Sequence, residues 1–176
     1  MVGAADLKGA APHGRAARRT SFAQARRPAA AFAHRTRIAA MYLLDTNIVS
    51  ELRRTKPHGG VLAWLASVGD ADLHLSAVTI GEIQSGIEIT REKNAAKASE
   101  IEAWLEQVAE TYNVLVMDAR AFRCWARLMH RRSDELIEDA MIAATAIIHN
   151  LTVVTRNVRD FEQLGARTFN PFAVPR

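Results

Sequence analysis

Short apolar runs alternate with longer amphipathic stretches from residue 42 onward. The first run, Tyr42-Leu43-Leu44, ends on Asp45. A strand is expected there, then a helix from Ile48 to about Arg53 with Thr46 or Asn47 as its cap. Thr55-Lys56-Pro57-His58-Gly59-Gly60 is rich in turn residues and reads as a loop. Val61 to Val68 predicts a helix with Leu62, Trp64, Leu65 and Val68 facing inward. Asp72 to Ser76 alternates as a short strand. Ser76 or Thr79 then opens a helix from Val78 to about Thr90. Glu92 to Glu110 places Ile101, Trp104, Leu105 and Val108 on one face of a long helix whose charges form a solvated face. Asn113 to Met117 reads as a buried strand, and Ala119 to Arg131 as the helix after it. An Ala-rich helix runs to about Asn150, with small residues for close packing on a sheet. Leu151 to Thr155 is a β-branched strand, and Thr168 to Phe172 a last edge segment. Strands that alternate with helices throughout predict a three-layer α/β/α fold with a parallel central sheet.

Composition changes this picture in two places. The single cysteine, Cys124, excludes an intramolecular disulfide and suits a reducing, cytoplasmic compartment. No apolar run is long enough for a membrane span. Charge is uneven. Residues 1–40 hold eight Lys or Arg and one acid, whereas residues 41–176 hold fifteen basic and eighteen acidic residues. The basic pI of 9.7 therefore belongs to the tail and says nothing about nucleic-acid binding by the rest. The tail has no sustained apolar periodicity. It reads as disordered or partly helical, or as an Arg-rich targeting segment. A third reading, which we favour, is that translation normally starts at Met41. The folded domain is assigned to residues 41–176.

Acids recur where strands end or helices begin: Asp45, Glu82, Asp139 and Asp160, with Asn157 beside the last. In a parallel sheet such positions converge on one edge, where ligand sites of open α/β sheets lie. Each also has a plain structural reading. Asp45 can belong to a helix cap. Glu82 stands three residues after Thr79, as in a capping box. Asp118 can cap the helix after it. Asp139 gains from a helix N-terminus. Asp160 can pair with Arg156 or Arg159. His74 stands alone on its strand, with no second histidine at ligand spacing. Crowded carboxylates repel one another, and a divalent cation relieves that repulsion. Hard oxygen ligands select Mg²⁺ or Mn²⁺ over Zn²⁺.

LLDTNIVSEL, SAVTIGEIQSGI, EDAMIAATAIIHNLTVVTRNVRDF and the terminal FNPF resemble PIN-domain ribonucleases of the VapC toxin type. The resemblance covers residues 41–172. It implies a PIN-like fold and metal-dependent cleavage of RNA by the toxin of a toxin–antitoxin pair. It assigns metal binding to Asp45 and Asp139 and a third catalytic acid to Glu82. The family's fourth acid falls on Asn157, and Asp160 is the candidate to supply its charge through a water. Thr46, Asn47, Asn157 and Arg156 are the candidate substrate contacts. The resemblance also implies a small antitoxin partner and a homodimer. Two alternatives differ from it. A haloacid-dehalogenase phosphatase needs a second acid two residues after its nucleophile, and Asn47 stands there. A non-catalytic RNA-binding PIN-like module is favoured by Asn157 alone.

Overall fold

Strand β1, Tyr42–Leu44, lies at the centre of a five-stranded sheet of order β3-β2-β1-β4-β5. The other strands are β2 Leu73–Ser76, β3 Asn113–Leu115, β4 Thr152–Val154 and β5 Arg167–Phe169, and every pair is parallel. This is a computed structural model, and it describes residues 40–173. The assigned tail lies outside the described residues except for Ala40.

Among the described residues, seven helices fill the connections: α1 Thr46–Leu52, α2 Gly59–Ser67, α3 Ala77–Arg91, α4 Ala95–Thr111, α5 Ala119–Leu128, α6 Ile137–Ile148 and α7 Val158–Gln163. Parallel strands need such crossovers, and helices then cover both faces. Leu43 and Leu44 point to opposite faces by the pleat, and both are fully buried. Leu43 joins Ala140, Ile142, Ala143, Val153 and Phe161 under α6 and α7. Leu44 joins Ile48, Val49, Val61, Leu75 and Val108 under α1, α2 and α4. Each such leucine contributes about 1.5–3 kcal/mol by leaving water. The predicted α/β/α layering with a parallel sheet is what the chain forms. Among the described residues, no helix is long and apolar enough to cross a membrane.

The chain leaves β1 toward β2 and β3 on one side and reaches β4 and β5 on the other. The order therefore reverses between β1 and β4. The carboxyl ends of those two strands frame the crevice where open sheets bind ligands.

Several local expectations change. His58 Nδ1 accepts from Gly60 N at 3.2 Å, so α2 starts at Gly59 and turns Val61 inward. Val61 is buried, while Leu62 is 38% exposed. A Cβ on Gly60 would stand 2.5 Å from the Pro171 carbonyl oxygen, so glycine permits the close approach of α2 to the C-terminal turn Pro171–Ala173. β3 is an edge strand rather than a buried one, which leaves Val114 and Val116 exposed. Ser76, not Thr79, caps α3, because its hydroxyl accepts from Val78 N. Thr79 is buried within that helix, so the capping box does not form. α5 ends at Leu128, and Arg131 beyond it has φ 60, which no helix continues.

A candidate acidic active site

Asp45 follows β1 directly, and its amide continues the ladder to Val154 O at 3.0 Å. Asp45 is 4% exposed. Oδ1 accepts from Thr46 N at 2.7 Å, which makes Asp45 itself the N-cap of α1. Oδ2 accepts from the Thr155 hydroxyl at 2.7 Å and from Asn47 Nδ2. Cap and site are therefore one arrangement. Burial pushes the Asp45 carboxyl above the usual carboxylate range, against the opposing pull of its bonds from Thr155, Thr46 and Asn47.

Thr155 stands one residue beyond β4, beside Asp45, and is fully buried. Its hydroxyl donates to Asp45 and accepts from Asn47 Nδ2 at 3.1 Å and Asn157 N at 2.8 Å. Asn47 Oδ1 accepts from Arg156 N at 3.1 Å. The side chain of Asn47 is thus spent in tying α1 to the turn after β4. Thr155 was not among the residues picked from sequence. A signal existed: a threonine ending the LTVVT strand at the edge that Asp45 occupies. Thr155→Val keeps the shape and removes three bonds. The buried partners left unpaired should cost about 1–3 kcal/mol in urea unfolding, while Thr155→Ser should cost less. Equal stability of Thr155→Val and the parent would show that the hydroxyl does not hold the crevice.

Glu82 lies within α3, half-buried, and its Oε2 accepts from the Thr46 hydroxyl at 2.6 Å. Thr46 therefore orients an acid. Burial raises the Glu82 carboxyl, the Thr46 bond opposes it, and Asp45, Asp139 and Glu138 raise it further. Asp139 sits in the first turn of α6, and no hydrogen bond from the described residues reaches its carboxylate. Burial, then the charges of Asp45, Asp160 and Glu138, push it up to about 6. Asp45 and Asp139 thus act on Glu82, and Asp45 and Asp160 on Asp139, which groups the four acids around one crevice. Glu138 adds its charge from an exposed position.

Asp160 occupies the first turn of α7 and, among the described residues, takes only a long bond, 3.4 Å, from Gln163 Nε2. Among the described residues it pairs with neither Arg156 nor Arg159. Asn157 is the N-cap residue of α7 and its side chain makes no capping bond. Arg156 meets the crevice through its backbone. Its guanidinium lies 4.0 Å from the Phe172 ring and 3.6 Å from Glu51 Oε2, toward the far end of α1. Glu51 is the other unpicked residue. It is buried and accepts from His58 N at 2.7 Å and Arg54 at 3.0 Å. Its only sequence signal is an acid among the apolar residues of α1.

A cavity of about 490 Å³ opens between α3 and α6, lined by Val78, Gly81, Glu82, Ser85, Glu138 and Met141. Among the described residues, no group of three Asp, Glu, His or Cys side chains is arranged to hold a metal ion. The donor chemistry nonetheless suits a hard cation. All donors are carboxylate oxygens, no hydrogen bond from the described residues engages Asp139, and the repulsion that adds to burial in raising it is what a cation removes. Such an ion would complete its coordination with water, as Mg²⁺ does.

Residues 42–166 match the PIN domain family. The chain is 34% identical to Toxin FitB of Neisseria gonorrhoeae over 139 residues, which is 75% of this chain and 99% of FitB. It is 34% identical to VapC ribonuclease Y4jK of Sinorhizobium fredii over 138 residues, 75% of this chain and 98% of that protein. Its structure superposes on the crystal structure of FitAcB from Neisseria gonorrhoeae with a TM-score of 0.67 at 32% identity, covering 76% of this chain and 100% of that one. The acids that the resemblance assigned fall inside the matched span, and the fold around them is the family's; the chain belongs to the PIN-domain family.

Proposed function

We propose that the chain is an endoribonuclease and the toxin of a toxin–antitoxin pair, hydrolysing RNA phosphodiester bonds with Mg²⁺ or Mn²⁺ held by Asp45 and Asp139. The observation that carries the reading is the crevice between β1 and β4, where burial and the charges of Asp45 and Asp139 raise the Glu82 carboxyl, and burial and the charges of Asp45 and Asp160 raise that of Asp139. Relatives named VapC ribonuclease and toxin FitB support it. The bound ion would polarise a phosphoryl oxygen and lower the pKa of a water. Asp45 is locked by Thr46, Asn47 and Thr155 so that its oxygens do not reorient. Glu82, aimed by Thr46, and Asp160, in the first turn of α7, orient the attacking water. Asn157 and Arg156 line the substrate's path. Neighbours solved as FitA–FitB complexes support a small antitoxin as partner. A homodimer and a cytoplasmic location complete the reading.

The test is cleavage of a mixed-sequence RNA by the full chain with Mg²⁺, Mn²⁺ or EDTA. Cleavage should need the metal and stop in EDTA; full activity in EDTA would refute the reading. Silence with either metal would point to a non-catalytic module. Asp160→Ala should weaken Mn²⁺ binding or cleavage about tenfold, roughly 1.4 kcal/mol. Asn157→Asp should keep or raise activity, because it adds a carboxylate where a carbonyl oxygen is the only donor. Unchanged kinetics in Asp160→Ala, with loss in Asn157→Asp, would reverse the two roles.

A further inference from the structure

From Ala119 to Ser133 the chain carries Arg120, Arg123, Arg127, His130, Arg131 and Arg132, and no acid. All six are exposed. Residues 41–176 hold fifteen Lys or Arg, so a third of them fall in this stretch. Arg120, Arg123 and Arg127 repeat at intervals of three and four along α5, which sets them on one stripe. The other face of α5 packs inward through Ala121, Trp125 and Leu128. Arg120 forms an exposed pair with Asp118 at 3.0 Å, and Arg132 donates to the Gln163 carbonyl at 2.7 Å. Arg123, Arg127 and Arg131 meet no acid among the described residues. Arg131 also has φ 60, a conformation that suits glycine or asparagine better. Packing gives no reason for an arginine there, since it is exposed.

The stripe begins on the edge of the sheet that carries the crevice. β3 ends at the same sheet edge as β1, and α5 starts shortly after it. α5 then packs on α6, whose first turn holds Asp139. From Arg120 to Arg127 the stripe runs about 10 Å. The acids themselves repel a polyanion, so the affinity for one must come from cations elsewhere. Evenly spaced, unpaired guanidinium groups fit the repeating charge of a nucleic-acid backbone better than the irregular charge of a folded acidic protein. Phe122 is 46% exposed beside Arg123 and offers an aromatic surface of the kind on which unpaired bases stack.

We propose that the arginine stripe of α5 and the turn after it binds the phosphate backbone of single-stranded RNA and delivers it to the acidic crevice. This rests on the ribonuclease reading. The probe is a fluorescent single-stranded RNA oligonucleotide, titrated by anisotropy against the full chain carrying Asp139→Asn, in EDTA so that nothing is cut. Arg123→Gln, Arg127→Gln and Arg131→Asn together should raise Kd at least tenfold at low salt. They should also lower the salt slope by about 2, at about 0.7 per lost contact on a single strand. A triple change elsewhere, Arg53→Gln with Lys56→Gln and Lys93→Gln, should leave both unchanged. Circular dichroism and melting of each triple variant show whether it is folded, and Arg123→Gln alone gives a milder second readout of about twofold to threefold. An unaltered Kd in the folded stripe variant, or an equal loss in the control variant, overturns the proposal. Loss of poly-glutamate binding with RNA binding retained overturns it too, in favour of an acidic protein. Wild-type cleavage in Mn²⁺ separates the two readings: RNA that binds through the stripe but is never cut fails only the ribonuclease reading.

Discussion

Asp139→Asn should lower kcat/KM for RNA at least about 100-fold, roughly 2.7 kcal/mol, while the chain folds as well as the parent. Nothing in the fold depends on the Asp139 carboxylate as an acceptor, since no hydrogen bond from the described residues reaches it. Asp45→Asn should lose activity as completely but with a different stability signature. Both Asp45 oxygens accept from buried or half-buried donors: Thr46 N, the Thr155 hydroxyl and Asn47 Nδ2. An amide would turn one acceptor into a donor facing a donor, at a cost of about 1–3 kcal/mol. Isothermal Mn²⁺ titration and urea unfolding on both variants separate the two effects. Retained Mn²⁺ binding and cleavage in Asp139→Asn would remove Asp139 from the metal site.

The pH dependence follows from the same group. An unfolded Asp ionises near 3.8, while Asp139 in the fold keeps its proton to about 6. Between those values the folded state binds more protons than the unfolded one. Asp139 therefore favours the fold below about pH 4, and that contribution is lost as pH rises through about 6. Asp45 and Glu82, also raised, act in the same direction. In EDTA, the melting temperature of the parent should fall relative to Asp139→Asn as pH goes from about 4 to 7. A constant difference would mean that neither burial nor the neighbouring charges raise the Asp139 carboxyl. Metal binding should strengthen over the same interval, because the proton and the cation compete for the same oxygens.

The fold was legible because its period was. Apolar runs such as LTVVT and YLL are buried on both faces and announce parallel strands, and the helices between them carry clear stripes. What failed was local and depended on partners distant in sequence. Thr79 and Glu82 have capping-box spacing, but Ser76 sits earlier and takes the cap, which frees Glu82 for Thr46. NVLVM looks buried, yet among the described residues nothing pairs with the outer side of β3. The acids of the crevice were visible as residues at element ends. The hydroxyl that holds Asp45 was not, because the Thr155 bond to Asp45 spans 110 positions and threonine is ordinary in any strand. The Arg156 amide donates to Asn47 Oδ1, but its side chain follows the buried charge of Glu51 and the Phe172 ring. The arginines of α5 were hidden by the net charge, because the acids of the long helix α4 and of the crevice outnumber them when counted together.

Phe161→Ala should cost about 3–5 kcal/mol, the largest single-residue loss of stability expected in this chain. Phe161 is fully buried on α7, against Leu43, Ala140, Ala143, Val153 and Leu164. The alanines of α6 leave room for its ring. The turn after α7 is fixed as well, with Gly165 at φ 77 and Ala166 N bonded to Phe161 O at 3.1 Å, so the helix has little freedom to close the gap. α7 carries Asn157 and Asp160 at its start, and the charge of Asp160 reaches Asp139. Loosening the ring should therefore weaken Mn²⁺ binding as well as the fold, even under conditions where the variant remains folded. Phe161→Leu keeps most of the volume and should restore most of both. The measurement is the urea midpoint with an unchanged m-value, paired with Mn²⁺ titration of the folded variant. A loss below about 1 kcal/mol would mean that α7 is not docked by this ring, and the placement of Asp160 at the crevice would fall with it.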